Sequence, residues 1–414
     1  MNLFAAARTP RHVIFGRGQR ATAAGYAREL GNRAFICTDE RLGGSRELAE
    51  LVDALAVAGV DAIVFDRTMP EVPLASIERS VALGKPFGPD MVIGLGGGSC
   101  LDMAKVTALM LTHGGSIRDY FGEFKVPGPA LPVIAIPTTA GTGSEATPVA
   151  VVADSERTLK VGIASPYLIP HAAICDPELT YSAPPGLTAV AGADALVHAI
   201  EAYTAARRDP APGLSQEHVF LGKNAMSDSY ALLAIAHLGQ SLERAVKDGN
   251  DRDARDGVMF GALAAGMAFG TAGTSAAHAI QYPVGAATHT AHGAGVACVL
   301  PYAMEFNLPA AVHEMARVGD AMGLPPTEGG DRERAYAAID AVARLFGSIG
   351  IPKNLRILGL HEDKVGWTAE QSLGAGRLVK NNPRPLDLAA MQTIVSAAFS
   401  GDRPALRRQV AQEA

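Results

Sequence analysis

The chain has 414 residues, of which 48% are hydrophobic and 19% charged, and its formal net charge is −6. This length exceeds one typical hydrophobic core, so two domains are expected. The negative balance argues against nucleic acid as a partner, because phosphate binding requires a clustered basic surface.

Up to about residue 185, short apolar runs rich in β-branched residues alternate with helical patterns such as 45–60 and 74–83. This alternation predicts a parallel sheet with helices on both faces. A hairpin is expected between a strand from Val149 to about Asp154 and residues 159–163. The other predicted strands are residues 13–15, 33–37, 62–65, 91–95 and 133–136.

A glycine run at residues 96–99 separates the predicted strand 91–95 from the helical run 100–111. Glycine lets the backbone approach a ligand, and a helix N-terminus offers free N–H groups to phosphate. We interpret this run as a pyrophosphate-binding loop, with a tight strand-to-helix turn as the alternative. Asp102 falls in the first helical turn, where an acid also serves as a cap.

A second polar loop, residues 137–145, follows the next predicted strand. Its hydroxyls at Thr138, Thr139, Thr142 and Ser144 could bond phosphate, ribose or the nicotinamide amide, although a polar loop of this kind can also simply cap a helix. Two such loops at successive strand ends favour a dinucleotide at the carboxyl edge of the sheet.

Asp39 ends the second predicted strand. A carboxylate there would bond the adenine ribose and repel a 2′-phosphate, which favours NAD over NADP. The acid precedes the glycine run, however, and the chain contains no G-x-G-x-x-G. The fold is therefore expected to differ from an ordinary Rossmann domain with its standard fingerprint.

Beyond about residue 186 helical patterns dominate, which predicts a second, all-α domain. We expect an NAD-binding α/β domain over residues 1–185 and a helical metal-binding and substrate domain over residues 186–414. The predicted helices are residues 189–206, 225–248, 254–269, 308–322, 332–348, 367–379 and 386–399.

Asp194 and His198 lie four apart in a helical pattern, so they share one face. His278 and His292 lie fourteen apart in a segment of small apolar residues. One carboxylate and three imidazoles suit a divalent transition metal with an open position for a substrate oxygen. The alternatives are a surface Asp–His hydrogen bond and a core histidine, and His289 competes with His292 on spacing alone.

Taken together, these motifs resemble those of the iron-containing (group III) alcohol dehydrogenase family. The resemblance implies an architecture of the dehydroquinate synthase-like and iron-containing alcohol dehydrogenase type, with an N-terminal dinucleotide-binding α/β domain and a C-terminal helical domain. It also implies reversible hydride transfer between an alcohol and NAD. The matching segments span most of the chain: residues 96–105, 137–145, 175–180, 194–203, 278–301 and 382–385.

The resemblance also assigns residues to sites. It implies that Asp194, His198, His278 and His292 bind the metal and that His289 does not. Asp102 is counted with the NAD contacts because of its place in the first turn after the glycine run. Iron(II) is the expected metal on family grounds, with zinc possible because the ligand set suits both. The other NAD contacts implied are Asp39, Gly97, Gly98, Ser99, Thr138, Thr139, Thr142 and Lys160.

Tyr282 stands where many relatives carry a further histidine, four residues after the third ligand. A tyrosine can relay a proton but is normally neutral, with a pKa near ~10. Tyr282 is therefore a candidate catalytic residue, with packing as the alternative. Residues 220–228, together with Tyr282 and Pro283, are similar to the hydroxyacid–oxoacid transhydrogenase branch, which moves hydride between two substrates through tightly held nucleotide.

The expected function is metal-dependent hydride transfer between a primary or secondary alcohol, or a hydroxy acid, and NAD. The transhydrogenase is the alternative. A dehydroquinate synthase-like lyase is disfavoured, because its phosphorylated substrate needs Lys and Arg, which are missing around the predicted histidine ligands. A non-catalytic scaffold is disfavoured because all four ligands and both loops are retained.

The cysteine spacing, the N-terminus and the lengths of the apolar segments indicate where the protein is located. The four cysteines are far apart and form no Cys-x-x-Cys pair, which suits a reducing cytoplasm. The N-terminus lacks a signal-peptide core, and no stretch approaches the ~20 apolar residues of a membrane helix. We expect a cytoplasmic protein with a small-molecule alcohol or aldehyde substrate and no membrane partner. Family habit implies a homodimer or a larger homo-oligomer.

Overall fold

The computed structural model describes residues 3–156, 160–325 and 329–413. The chain forms two compact units. The sheet unit comprises Arg8–Ser182 and Gly213–Val219, and the helical unit comprises Met1–Ala7, Ala183–Pro212 and Phe220–Ala414. Within the sheet unit, Arg8 donates hydrogen bonds to the carbonyl oxygens of His218 and Val219.

The sheet unit contains nine strands among its described residues: β1 His12–Phe15, β2 Arg33–Cys37, β3 Asp61–Phe65, β4 Met91–Gly96, β5 Gly122–Glu123, β6 Val133–Pro137, β7 Val149–Val152, β8 Val161–Ala164 and β9 Ala172–Cys175. Six of them form a large sheet in the order β1-β9-β6-β4-β2-β3, and every pairing in it is parallel. A smaller three-stranded sheet has the order β5-β8-β7.

Helices cover both faces of the large sheet, as the sequence predicted. Successive residues of a strand point to opposite faces, so Phe35 and Cys37 enter one hydrophobic cluster while Ala34 and Ile36 enter the other. The helices of this unit are α1 Ala23–Leu30, α2 Glu40–Gly43, α3 Arg46–Val57, α4 Leu74–Phe87, α5 Gly98–His113 and α7 Leu214–Glu217.

The five predicted strands of the large sheet are confirmed, and β9 was missed. The expected hairpin is also confirmed, because Val149–Val152 pairs antiparallel with Val161–Ala164. Its predicted second strand began at Leu159, which lies outside the described residues. The missed β9 has only four residues, two of them alanine, which gave no β-branched cluster to detect.

The helical unit contains helices and no strand among its described residues. The second part of the predicted fold class, a helical C-terminal part, is thereby confirmed. The helices are α6 Pro185–Thr204, α8 Ala225–Lys247, α9 Arg252–Ala272, α10 Ala276–Thr288, α11 His292–Asn307, α12 Val312–Ala321, α13 Asp331–Ser348, α14 Leu355–Leu358, α15 Val365–Ser372, α16 Gly376–Asn381, α17 Leu388–Ser400 and α18 Arg403–Glu413.

One helical prediction needs correction, and two helices that carry predicted ligands were missed. The single helix expected over 367–379 is two helices, α15 and α16, separated near Gly374, because glycine is unfavourable in a helix interior. Helices α10 and α11 were not predicted, because each contains an internal proline, Pro283 or Pro301, which usually marks a helix end.

Among the described residues, no single helix has both the length and the apolar composition to cross a membrane. The pair α9 and α10 passes that test only when joined, and the two helices are bent by 102° at the break between them.

Candidate functional site

The four predicted metal ligands converge in the helical unit. Helix α6 carries Asp194 and His198 one turn apart, α10 carries His278 in its first turn, and α11 begins at His292. The Oδ1 atom of Asp194 lies 3.9 Å from His198 Nε2, 3.7 Å from His278 Nε2 and 3.9 Å from His292 Nε2. Three imidazole nitrogens thus surround one carboxylate oxygen.

These distances suit ligands of one ion. Asp194, His278 and His292 each place one ligand atom within 4.8 Å of the others. Ligands held at about 2.0–2.2 Å from a metal in tetrahedral geometry stand roughly 3–4 Å apart. The Nε2 atom of His278 is buried and has no hydrogen-bond partner among the described residues, as expected of a nitrogen whose lone pair is kept for a metal. The donor set therefore fits a divalent metal.

The site is closed on one side and open on the other. The side chains of Asp194, His198 and His278 are nearly fully buried, whereas that of His292 is 34% exposed. The His198 ring stacks on Phe269 with the ring centroids 4.0 Å apart, which fixes its plane. A small molecule can therefore approach beside His292.

Glycines allow the ligand-bearing helices to approach closely. A Cβ atom at Gly293 would collide with the carbonyl oxygen of Val190 and would lie 3.1 Å from the Cβ of Asp194. A Cβ atom at Gly295 would collide with the side chain of Gln281, one turn after His278. Glycine at these positions therefore allows α11 to pack against α6 and α10 at this distance.

His289, the competing ligand candidate, lies outside the cluster. It follows the last residue of α10 with a φ of 54°, and it is exposed. This residue ends a helix in the left-handed conformation that often terminates helices. The choice of His292 over His289 therefore agrees with the geometry.

Glu201 is a site residue that the sequence analysis missed. Its carboxylate accepts hydrogen bonds from His278 Nδ1 at 2.6 Å and from the backbone N–H groups of Ser275 and Ala277 at 3.0 and 2.7 Å. Burial raises the pKa of Glu201, but the contact with His278 and the hydrogen bonds from the two amides outweigh it and hold the pKa below its usual value. The signal was available, since Asp194, His198 and Glu201 share one helix face.

Tyr282 lies one turn after His278 on α10 and is partly exposed. Burial raises the pKa of its phenol, and the charge of Arg377 only partly opposes this. The hydroxyl is therefore protonated near neutral pH, where it can donate a hydrogen bond but cannot act as a strong base. A catalytic role for Tyr282 stays a prediction.

In the sheet unit, the two predicted nucleotide loops lie side by side. Strands β4 and β6 are adjacent and parallel, with Gly96 opposite Pro137, and the Thr138 N–H donates to the Gly96 carbonyl oxygen at 2.9 Å. A Cβ atom at Gly98 would lie 2.6 Å from Thr142 Cγ2. The hydroxyl of Thr138 is buried without a hydrogen-bond partner among the described residues, which fits a polar ligand here.

Three further residues that were predicted to bind the nucleotide also lie at the carboxyl edge of the large sheet: Ser99, Lys160 and Asp39. The Glu71 N–H donates to Ser99 Oγ at 3.2 Å, and the Glu71 carboxylate pairs with Lys160 at 2.7 Å. Asp39 follows β2, the neighbour of β4, and caps α2 by accepting from the N–H of Leu42.

Both carboxylate oxygens of Asp102 accept hydrogen bonds from other residues of the chain. One carboxylate oxygen accepts from the Ser144 hydroxyl at 2.6 Å and the other from the Val151 N–H at 3.0 Å. Nearby, the buried Lys105 donates to the carbonyl oxygens of Thr147 and Val149. These contacts hold the second loop in place, so a direct bond from Asp102 to nucleotide stays a prediction.

Two sequence families match this chain. The family described as iron-containing alcohol dehydrogenase matches residues 10–177, and the C-terminal part of the Fe-containing alcohol dehydrogenase family matches residues 188–399. The chain belongs to the iron-containing alcohol dehydrogenase family.

Individual relatives agree with this membership. A long-chain-alcohol dehydrogenase of Geobacillus thermodenitrificans is 36% identical over 88% of this chain and 89% of that protein. A solved 1,3-propanediol oxidoreductase has a TM-score of 0.89 and 30% identity, covering 96% of this chain and 100% of that one. A sulfoacetaldehyde reductase of Bifidobacterium kashiwanohense, solved with NAD⁺, has a TM-score of 0.82 and 27% identity over 97% of this chain and all of its own.

The predicted family and fold class are thereby confirmed. So is the assignment as an enzyme of the alcohol dehydrogenase class that uses NAD and a metal. Small-molecule alcohol or aldehyde substrates fit this family.

Proposed function

We propose that this protein oxidises a primary or secondary alcohol, or a hydroxy acid, with NAD and reduces the corresponding aldehyde or ketone in reverse. The observation that carries the proposal is the convergence of three imidazole nitrogens on the Asp194 carboxylate. We assign the metal to Asp194, His198, His278 and His292. Iron(II) is the first choice on family grounds, and zinc suits the same ligands.

When bound, the metal would supply Lewis-acid chemistry to an alcohol or carbonyl oxygen, and NAD would supply the hydride acceptor or donor. The residues of this chain bind the metal and the nucleotide and orient the substrate. Burial of Asp194, His198 and His278 excludes water from one side of the site, and the partial exposure of His292 leaves an approach for the substrate. Tyr282, neutral near pH 7, can donate a hydrogen bond one turn from His278 and is the candidate for moving a proton.

We assign the nucleotide to the carboxyl edge of the large sheet. Gly97 and Gly98 open α5, whose first N–H groups suit a pyrophosphate. Asp39 suits the adenine ribose, which favours NAD over NADP. Asp102 contributes by holding the second loop through Ser144. The other nucleotide residues of this proposal are Ser99, Thr138, Thr139, Thr142 and Lys160.

The proposal also covers the roles of the two domains, the location of the protein and its assembly. Residues 1–185 bind NAD, and residues 186–414 bind the metal and the substrate. The four cysteines are free and buried, which supports a reducing, cytoplasmic location. Strand β1 forms one edge of the large sheet and its Val13 is 38% exposed, which supports pairing with a second copy in a homodimer or larger assembly.

The relatives described above are named for a long-chain alcohol, 1,3-propanediol and sulfoacetaldehyde. An alcohol or an aldehyde is the class that these names share. The proposal is tested by NAD reduction with iron-loaded protein over primary alcohols, diols and 4-hydroxy acids. NADH formation with any of them supports it. Turnover only after an oxo-acid acceptor is added would assign the protein to the transhydrogenase, and no turnover in either assay would overturn both.

A further inference from the structure

Glu201 connects the two helices that carry three of the four proposed metal ligands. It lies on α6, three residues after His198 and seven after Asp194, and only 2% of its surface is exposed. Its carboxylate reaches across to the first turn of α10, where it meets the His278 ring and two backbone N–H groups.

The contact with His278 determines which ring nitrogen carries the proton. A neutral imidazole has one N–H donor and one acceptor nitrogen, whereas an ionised carboxylate only accepts. The 2.6 Å hydrogen bond to Glu201 therefore places the proton on Nδ1. The lone pair is left on Nε2, the nitrogen that lies 3.7 Å from Asp194 Oδ1. This tautomer is the one a metal on Nε2 requires.

The backbone contacts determine where α10 begins. The first N–H groups of a helix have no partner within the helix. The side chain of Ser275, the residue that precedes α10, makes no capping hydrogen bond. Glu201, which lies on α6, caps α10 instead, because its carboxylate accepts from the N–H groups of Ser275 and Ala277. A negative charge at this helix end is also electrostatically favourable.

We infer that Glu201 is a positioning residue of the metal site: it fixes both the Nδ1–H tautomer of His278 and the start of α10 relative to α6. This inference rests on the proposed metal assignment. Glu201 is not one of the four proposed ligands, and it acts through His278.

The matched pair of variants is Glu201→Gln and Glu305→Gln. Both residues are buried glutamates of the helical unit, but Glu305 pairs with Arg403 and Arg407 and touches no proposed ligand. In Glu201→Gln the amide keeps the size of the side chain, but its NH₂ group replaces one of the two acceptor oxygens. At the Oε2 position it would face both His278 Nδ1–H and the Ser275 N–H, and at the Oε1 position it would face the Ala277 N–H, so one or two of these donors lose their acceptor.

Zinc affinity of the metal-free proteins is measured by competition with a chelator, alongside the fraction folded by circular dichroism. We expect Glu201→Gln to bind Zn²⁺ about 10–100-fold more weakly than wild type, the range typical for loss of a ligand's hydrogen-bond partner. Glu305→Gln should keep wild-type affinity even if its melting temperature falls. Equal Zn²⁺ affinity in Glu201→Gln and wild type would overturn the inference.

A second readout is insensitive to general destabilisation. In ¹⁵N-histidine-labelled metal-free protein, His278, assigned through His278→Asn, should show the Nδ1–H tautomer in wild type and in Glu305→Gln. Glu201→Met, which removes both carboxylate oxygens, should lose it in part or wholly, and retention of the pure Nδ1–H form in that variant would count against the inference. If wild type itself bound no Zn²⁺, the proposed metal site would fail first, and the positioning role would fail with it.

Discussion

The Nε2 atom of His278 lies 3.7 Å from the Oδ1 atom of Asp194. This separation is too long for a hydrogen bond and matches two ligands of one metal. The two residues lie eighty-four positions apart in sequence and on different helices. The packing of α6, α10 and α11 therefore decides whether the metal site exists.

Substituting Gly293 by alanine should weaken both the fold and the metal site. The added Cβ would collide with the Val190 carbonyl oxygen and press on Asp194. Overpacking of this kind costs about 1–3 kcal/mol of unfolding free energy, and displacement of α11 would move His292. Denaturant unfolding and Zn²⁺ competition measure the two effects.

The matched control for Gly293→Ala is Gly347→Ala. Gly347 lies in α13, and a Cβ atom there would meet nothing within 4 Å. Alanine is favoured over glycine in a helix by about 1 kcal/mol, so this variant should be neutral or more stable and should bind Zn²⁺ normally. Equal unfolding free energies for the two variants would argue against a tight contact between α11 and α6.

Substituting Gly98 by alanine should impair nucleotide binding and leave the metal site intact. Its Cβ would lie 2.6 Å from Thr142 Cγ2, so the two loops could not keep their present contact. We expect the Kd for NADH to rise at least ~10-fold, equivalent to about 1.4 kcal/mol. Fluorescence titration of NADH measures this.

Gly25→Ala is the control for the nucleotide loop. Gly25 lies in α1, where an added Cβ meets nothing within 4 Å. NADH affinity should be unchanged in this variant, and Zn²⁺ affinity should be unchanged in both. An NADH affinity that is the same in Gly98→Ala and Gly25→Ala would remove the glycine loop from the proposed nucleotide site.

Asp39→Asn should relax the preference for NAD over NADP. Asparagine retains an oxygen that can cap α2 through the Leu42 N–H but removes the negative charge that would face a 2′-phosphate. We expect the ratio of kcat/KM for NAD to that for NADP to fall about 10-fold, with the melting temperature nearly unchanged. A ratio that does not change would place the adenine ribose away from Asp39.

Glu145→Gln should change how stability depends on pH. Burial raises the pKa of Glu145 from 4.5 to about 7. In wild type the folded state therefore retains a proton that the unfolded chain releases between pH 4.5 and 7, so stability falls as pH rises through this window. The loss amounts to at most about 3 kcal/mol, since one pKa unit corresponds to ~1.4 kcal/mol.

Glutamine carries no charge at any pH and should remove this loss. Glu145→Gln should gain stability over wild type between pH 5 and pH 8, with the difference level above pH 7. Urea unfolding at several pH values measures it. A difference that is constant over this range would show that Glu145 ionises normally in the folded protein.

The sequence predicted the alternating sheet domain because each central strand is a short apolar run, as the buried β4 shows. It predicted the four ligands because Asp194 and His198 have helical spacing, and because family motifs decided between His289 and His292. The geometry of the cluster agrees with that choice.

Long-range partners could not be predicted in the same way. Lys160 pairs with Glu71, and no local pattern in the sequence indicates this pairing. The spacing of Glu201 placed it on the helix face of Asp194 and His198, but nothing local indicated that its partner is His278. Helices α10 and α11 escaped detection because small residues and internal prolines hide their periodicity. These same small residues, such as Gly293, are what permit the close packing at the metal site.

The most direct test of the central claim is a parallel measurement of bound iron and of alcohol-dependent NADH formation in wild type and Asp194→Ala. With both proteins folded by circular dichroism, wild type should bind iron stoichiometrically and produce NADH. Asp194→Ala should lose the iron and reduce NAD at least ~100-fold more slowly, because the carboxylate at the centre of the ligand set is gone. Retention of both the metal and full activity in Asp194→Ala would contradict the proposed site.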